Sequence, residues 1–168
     1  AGVKTHGLMD TAAKSIYDMG AAAPTLFYTM DLVPAMESYA KGITYAEALY
    51  QLIPNFRLTP SRNSLTSDLK AFHSNWLTWQ VAPVWAESGG GFGSSMAGEL
   101  YFNFGVIGIL LGSALVGWVS GRLRSAAGDS PMKLTASALF FGCMIIYVRN
   151  PIAVPLKNLV WSLVALLI

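Results

Sequence analysis

The sequence predicts an all-α, polytopic helical membrane protein with a large helical extramembrane loop, and three observations carry that reading. The 168-residue chain is 54% hydrophobic with only 12% charged residues, a balance foreign to most globular domains. Its mean hydropathy is +0.47. Leu100 to Val119 holds no charged residue, and about 20 helical residues rise about 30 Å, the thickness of a bilayer's hydrocarbon core. A second apolar run, 132–148, follows a short loop carrying Arg122, Arg124, Asp129 and Lys133.

Residues 1–97 read as an extramembrane domain of short helices. Leu8, Ala12, Ile16 and Met19 recur at helical spacing over 8–19, and Gly20 is the expected terminator. Thr44-Tyr45-Ala46-Glu47 fits a capping box, in which the threonine caps the first turn and the glutamate returns to its backbone. Ala48, Leu49 and Leu52 continue that helix to Pro54. Leu65, Leu69, Phe72, Trp76 and Trp79 then keep one helical face apolar, with Asp68, Lys70, His73 and Ser74 interspersed. Tryptophans on such a face suit either the headgroup layer or packing beneath neighbouring helices.

The membrane region, 98–168, is expected to hold helices at about 98–120, 132–148 and 157–168. Gly105, Gly108 and Gly112 form a stripe that permits close helix contact, and Trp118 marks an interface. Ser130-Pro131 reads as a helix cap followed by proline at the first helical position. Arg149-Asn150-Pro151 closes the second helix and returns the chain to the side of the large loop. The run from Leu159 to Ile168 stops at half the length a span requires. The third helix therefore reads as truncated, and the chain as a C-terminal portion of a larger protein. Three basic residues in 121–133 against two in 149–158 place the former loop in the cytoplasm and 1–97 outside.

The formal charge of +2 and the absence of a dense Lys/Arg patch argue against a nucleic-acid partner. The one cysteine, Cys143, lies in an apolar run; it excludes an internal disulfide framework and reads as packing.

Glu99 is the leading candidate acid. A carboxylate at a membrane boundary is partly dehydrated, which suits general acid–base work, although a wet helix N-terminus also favours an anion. Asn103, four residues on, shares its helical face. His73 is the second candidate for proton transfer. Arg149 ends a membrane helix on the side of Glu99, and Arg57 and Arg62 lie in the outer loop; such guanidinium forks suit phosphate oxygens, and helix-end arginines also snorkel to headgroups. Lys157 is a weaker member of the same set. Trp76, Trp79 and Tyr101 could stack on sugar faces or line a lipid groove, or serve as interface anchors. Gly89-Gly90-Gly91-Phe92-Gly93 lacks the lysine of a phosphate-binding loop and the strand of a dinucleotide fingerprint, and Ser94 and Ser95 lack a nucleophile-elbow setting. No histidine stands at metal-ligand spacing from another, and no metal or other cofactor is expected.

The string Gly91-Phe92-Gly93-Ser94-Ser95-Met96-Ala97-Gly98-Glu99-Leu100-Tyr101-Phe102-Asn103-Phe104-Gly105-Val106-Ile107-Gly108 resembles the bacterial O-antigen polysaccharide polymerases, also called oligosaccharide repeat-unit polymerases. Leu26 to Pro34, Tyr39 to Tyr45 and Ile53-Pro54-Asn55 add to the likeness, which covers about residues 14–168. The resemblance implies a GT-C-like, multi-pass glycosyltransferase of the bacterial inner membrane with a large periplasmic loop. Its substrates would be polyprenyl-pyrophosphate-linked oligosaccharides, polymerised into surface polysaccharide at the outer face. It further implies a lipid environment and, as partners, a chain-length regulator or other polysaccharide-assembly proteins. The matching motif puts Glu99 and Asn103 near the site. A transporter or flippase of a lipid-linked glycan, and a noncatalytic assembly subunit, are the competing readings.

Overall fold

The computed structural model describes residues 22–54, 69–126, 128 and 130–167. Among them every regular element is helical: α1 (Ala22–Leu32), α2 (Ile43–Tyr50), a 3-10 turn (Leu69–Ala71), α3 (His73–Val81), α4 (Pro83–Glu87), α5 (Met96–Ala126), α6 (Pro131–Tyr147) and α7 (Ala153–Leu167). The helix expected at 8–19 lies outside the described residues.

The centre of the fold is α5, longer than the expected 98–120 and broken at Gly105, whose φ of 67° and ψ of −154° are non-helical. That backbone conformation is essentially confined to glycine. The break is a sharp reversal. A methyl group added at Gly108 would strike the Leu100 carbonyl, and one at Gly112 would strike the Leu100 side chain. In a continuous helix, residues eight apart are separated by about 12 Å. The glycine stripe therefore packs against the segment of α5 that precedes it.

The two segments of α5 have different surroundings. In 96–104, Tyr101 and Phe102 are buried with Val33, Trp76 and Leu77, packed between α1 and α3. Beyond the break, Val106, Ile107, Leu110, Leu111, Leu115 and Trp118 are all exposed. A helix that is apolar on its outer surface is suited to lipid. Met96–Ser125 is long and apolar enough to cross a membrane; the stretch past the break alone, 106–125, would extend about 30 Å. At its far end the Arg122 guanidinium lies 5.4 Å from the centre of the Trp118 ring, a cation–π contact suited to an interface.

Helix α6 begins as the sequence indicates, with Pro131 in the first turn and the Ser130 hydroxyl accepting the Lys133 N–H at 3.3 Å. Cys143 is buried along it. It packs along α7, which starts at Ala153 rather than 157 because Pro155 is tolerated in a first turn. Lys157 is consequently an exposed residue of α7, not of the connecting loop.

Two local expectations are corrected. The capping box at Thr44 does not form: Gly42, in the left-handed region with φ 89°, occupies the cap position, and no side chain caps α2. Thr44 is instead inside the helix and buried, and Glu47 accepts a bond from Gln51 Nε2 at 3.0 Å. The helix expected from Leu65 is interrupted at Phe72, so α3 starts at His73 with a different phase. His73, Trp76 and Leu77 point inward, while Trp79 is 42% exposed.

The substitution Gly105→Ala should destabilise the protein by about 1–3 kcal/mol, through the backbone conformation and the collision with Tyr39, whose hydroxyl would lie 2.9 Å from the new methyl. Gly117→Ala, with nothing within 4 Å of the added methyl, should leave stability unchanged or slightly raised. Thermal unfolding in detergent distinguishes the two, and equal midpoints would refute the account of the break.

Candidate active site at the broken helix

Two polar clusters flank segment 96–104 and its cap residue Ser95 on two faces. Residues 99 and 103, one turn apart, project to one side; 95, 98 and 102 project to another.

On the first side lies Glu99, 1% exposed. Its Oε2 accepts the backbone N–H of Ile152 at 2.8 Å. The hydroxyls of Thr44, from α2, and Tyr147, from the end of α6, are its further hydrogen-bond partners. The Tyr45 hydroxyl faces that of Tyr147 but is buried without a well-formed hydrogen bond. Burial pushes the Tyr45 phenol up to about 12, so it is a neutral donor at physiological pH. One carboxylate thus joins α2, α5 and the 148–152 connection between α6 and α7.

Asn103 fixes this arrangement. Its Oδ1 accepts the Gly42 N–H at 2.9 Å, and its Nδ2 donates to Thr44 Oγ1 and to the Glu99 carbonyl, each at 2.8 Å. Alongside it, Ala40 N–H donates to the Phe102 carbonyl at 3.0 Å and Lys41 N–H to that of Asn103 at 3.1 Å. The carbonyls freed by the break are therefore paired with residues 40 and 41. Asn103 is 1% exposed and fully engaged, so it orients Thr44 and the α2 start rather than presenting its amide outward.

On the other side lies His73, 0% exposed, with Nε2 2.9 Å from Thr29 Oγ1 and Nδ1 2.9 Å from Ser94 Oγ. Thr29 spends its proton on the Thr25 carbonyl at 2.6 Å, so it can only accept from the ring. That assigns the proton to Nε2 and makes Nδ1 the acceptor for Ser94. Phe102 packs against the imidazole at a centroid distance of 4.9 Å, and burial lowers its pKa to about 4. Ser95 accepts from Thr25 Oγ1 at 3.2 Å and from the Gly98 N–H at 3.0 Å, acting as the N-cap of α5. His73 and its hydroxyls thus clamp the start of α5. They are not brought together with Glu99.

The remaining sequence candidates fall differently. Arg149 is exposed in the 148–152 connection, and a methyl group added at Gly93 would lie 3.5 Å from its carbonyl, so that connection runs beside the glycine-rich stretch. Through Ile152 it also reaches Glu99, which puts Arg149 on the side of the carboxylate. Arg57 and Arg62 lie outside the described residues. Tyr101 is 7% exposed and donates to the Val33 carbonyl at 3.2 Å. Trp76 is 2% exposed against Phe102. Both are core side chains here, because α3 and 96–104 face each other along their aromatic rows. Trp79 lines a small open pocket with Asn75, Thr78 and Gly90. Among the described residues no three His, Cys, Asp or Glu side chains group as a metal site. Sequence reasoning gives Thr44 a capping role only and gives Tyr45 and Tyr147 no role at the site; for Tyr147 the one available signal is its place at the end of an apolar stretch.

Among the described residues every regular element is helical, one helix is long and apolar enough to cross a membrane, and a buried carboxylate lies near its start, features that fit the class of helical membrane proteins. The family model of O-antigen polysaccharide polymerase Wzy matches residues 1–168, and the chain belongs to that family. Membership implies polysaccharide polymerase activity in a membrane. No curated relative and no solved structure matches the chain significantly.

Two outcomes follow from the geometry. Asn103→Ala strands the Gly42 N–H and removes the donor to Thr44, and should lower stability by about 2 kcal/mol in denaturant titration. The second concerns acid. In the unfolded chain His73 takes up a proton near pH 6.5, but in the folded protein only near pH 4. The unfolded state binds more protons in that window, so the stability present above about pH 6.5 is lost as pH falls toward about 4. His73→Gln should flatten that part of the stability profile, and an unchanged slope would exclude a buried neutral imidazole.

Proposed function

We propose that the protein is a multi-pass, GT-C-like glycosyltransferase that joins polyprenyl-pyrophosphate-linked oligosaccharide repeat units at the outer face of a bacterial inner membrane. The observation that carries this reading is Glu99, a buried carboxylate held by an amide and flanked by hydroxyls, beside the arginine-bearing connection and at the start of the broken membrane helix. In this topology residues 1–97 face the periplasm, and α6 and α7 cross the membrane beside α5.

The reaction requires a proton acceptor and a stabilised leaving group. The acceptor sugar's hydroxyl gives its proton to the Glu99 carboxylate, and its oxygen attacks the anomeric carbon of the donor glycan. The bond from that carbon to the polyprenyl pyrophosphate breaks, and the leaving oxygen's charge is taken up by guanidinium groups, for which Arg149, Arg57 and Arg62 are the candidates. Because Glu99 is enclosed, the connection that bears Arg149 and covers the carboxylate through Ile152 must lift for the acceptor to enter. His73 acts in this scheme by clamping α5, as its engaged ring nitrogens require. Of Trp76, Trp79 and Tyr101, Trp79 is the exposed one and so the one available to a sugar face.

Full-length protein reconstituted with lipid-linked repeat units should yield a ladder of elongated glycans. Glu99→Gln keeps an acceptor for Ile152 and should slow elongation about 10²–10⁴-fold with insertion unchanged. Arg149→Ala should also slow it, with partial recovery in Arg149→Lys. Wild-type rates in Glu99→Gln would remove Glu99 from the chemistry; translocation of lipid-linked glycan without new glycosidic bonds would replace the enzyme by a transporter.

A further inference from the structure

An ionised carboxylate only accepts hydrogen bonds, and its two oxygens offer about four lone-pair positions. Glu99 is met by the Ile152 N–H, at 2.8 Å from Oε2, and by the hydroxyls of Thr44 and Tyr147. The direction of the Thr44 bond is fixed from behind. Asn103 Nδ2 donates to Thr44 Oγ1 at 2.8 Å, so that oxygen accepts from the amide and its own proton is left for the carboxylate. Tyr147, 4% exposed at the end of α6, supplies the second hydroxyl.

The three donors differ in where they are mounted. Ile152 lies on the connection that must lift before an acceptor can reach Glu99; its N–H leaves with that connection and vacates Oε2. Thr44 stands on α2 and Tyr147 on α6, so their bonds persist. The ionisable groups that face Glu99 are the phenols of Tyr45 on α2 and Tyr147 on α6, both within reach of its charge. Glu47 of α2 is bonded by Gln51. Arg149 of the connection and Lys157 of α7 are exposed and are not among the carboxylate's hydrogen-bond partners.

We infer that Thr44 and Tyr147 are positioning residues for the polymerase reaction: their hydroxyls hold Glu99 as an ionised base while Ile152 moves away, and Oε2 is the oxygen left to take the acceptor's proton. The inference rests on the reading given under Proposed function and deepens it. Neither hydroxyl touches the reacting atoms. Both act through Glu99, because a hydrogen bond to the ionised form of an acid favours that form.

The test follows kcat/KM for elongation across pH, which reports the base of the free enzyme, using full-length protein in vesicles with lipid-linked repeat units. Tyr147→Phe and Thr44→Val each delete one donor, so Glu99 keeps its proton to higher pH and the acid limb should move up by about one pH unit. Thr44→Ser keeps the hydroxyl and should retain the wild-type limb, a contrast that a purely structural role would not produce. Infrared titration of the same proteins in detergent, without substrate, should move the protonated-carboxyl band that Glu99→Gln lacks by the same interval. The two deletions lie on different helices, so either decides the question if the other does not fold. Limbs and titrations that coincide with wild type would overturn the inference, while a slow Glu99→Gln would leave the catalytic reading standing. Wild-type elongation by Glu99→Gln would overturn both.

Discussion

A helix that reverses direction in mid-course frees backbone carbonyls that water or other donors must satisfy. In this protein the reversal at Gly105 leaves those of Phe102 and Asn103 facing the turn before α2, where the N–H groups of Ala40 and Lys41 meet them. The Asn103 side chain adds the Gly42 N–H and the Thr44 hydroxyl. The rest of the structure depends on this pairing. It sets the left-handed entry to α2, brings Thr44 to Glu99, and holds 96–104 against α1 and the 33–44 stretch while the exposed apolar stretch past the break runs on alone.

The nine-residue segment between cap and break consequently has an inner and an outer role. Toward α1 and α3, His73 and four hydroxyl residues fix its start, and Phe102 and Tyr101 fix its flank. Toward α2 and the 148–152 connection it offers Glu99. Rigid anchorage on one side fixes the position of the single carboxylate on the other, as the proposed reaction would require. The two faces also explain why His73 and Glu99 have separate tasks: neighbouring helical positions project about 100° apart.

The composition, the charge-free run and the Ser130-Pro131 start were legible because each depends on local sequence alone. So was the sharing of one face by Glu99 and Asn103, which the helical period fixes. The break at Gly105 was not legible: three glycines at helical spacing read equally well as a seam for another helix, and only the third dimension shows that Leu100 of the same helix fills it. Thr44 misled for a similar reason. A threonine three residues before a glutamate satisfies the capping pattern, but Gly42 takes the cap position because the chain approaches in a left-handed turn. The phase of α3 was hidden too, since aromatic residues at 72, 76 and 79 support two faces and the interruption at Phe72 selects the one containing His73. The neighbours of Glu99 come from residues 44, 147 and 152, separations that no periodicity connects.

Helix α6 has 17 residues. As a crossing helix in the proposed topology it extends about 26 Å, a few ångströms less than the usual hydrocarbon thickness. Hydrophobic mismatch of this sign is relieved by local thinning of the bilayer, at fractions of a kcal/mol per ångström. The thinned annulus would surround the end of α6 that carries Tyr147. There the headgroup plane would dip toward the carboxylate, shortening the distance an amphiphile's polar end must travel out of the leaflet.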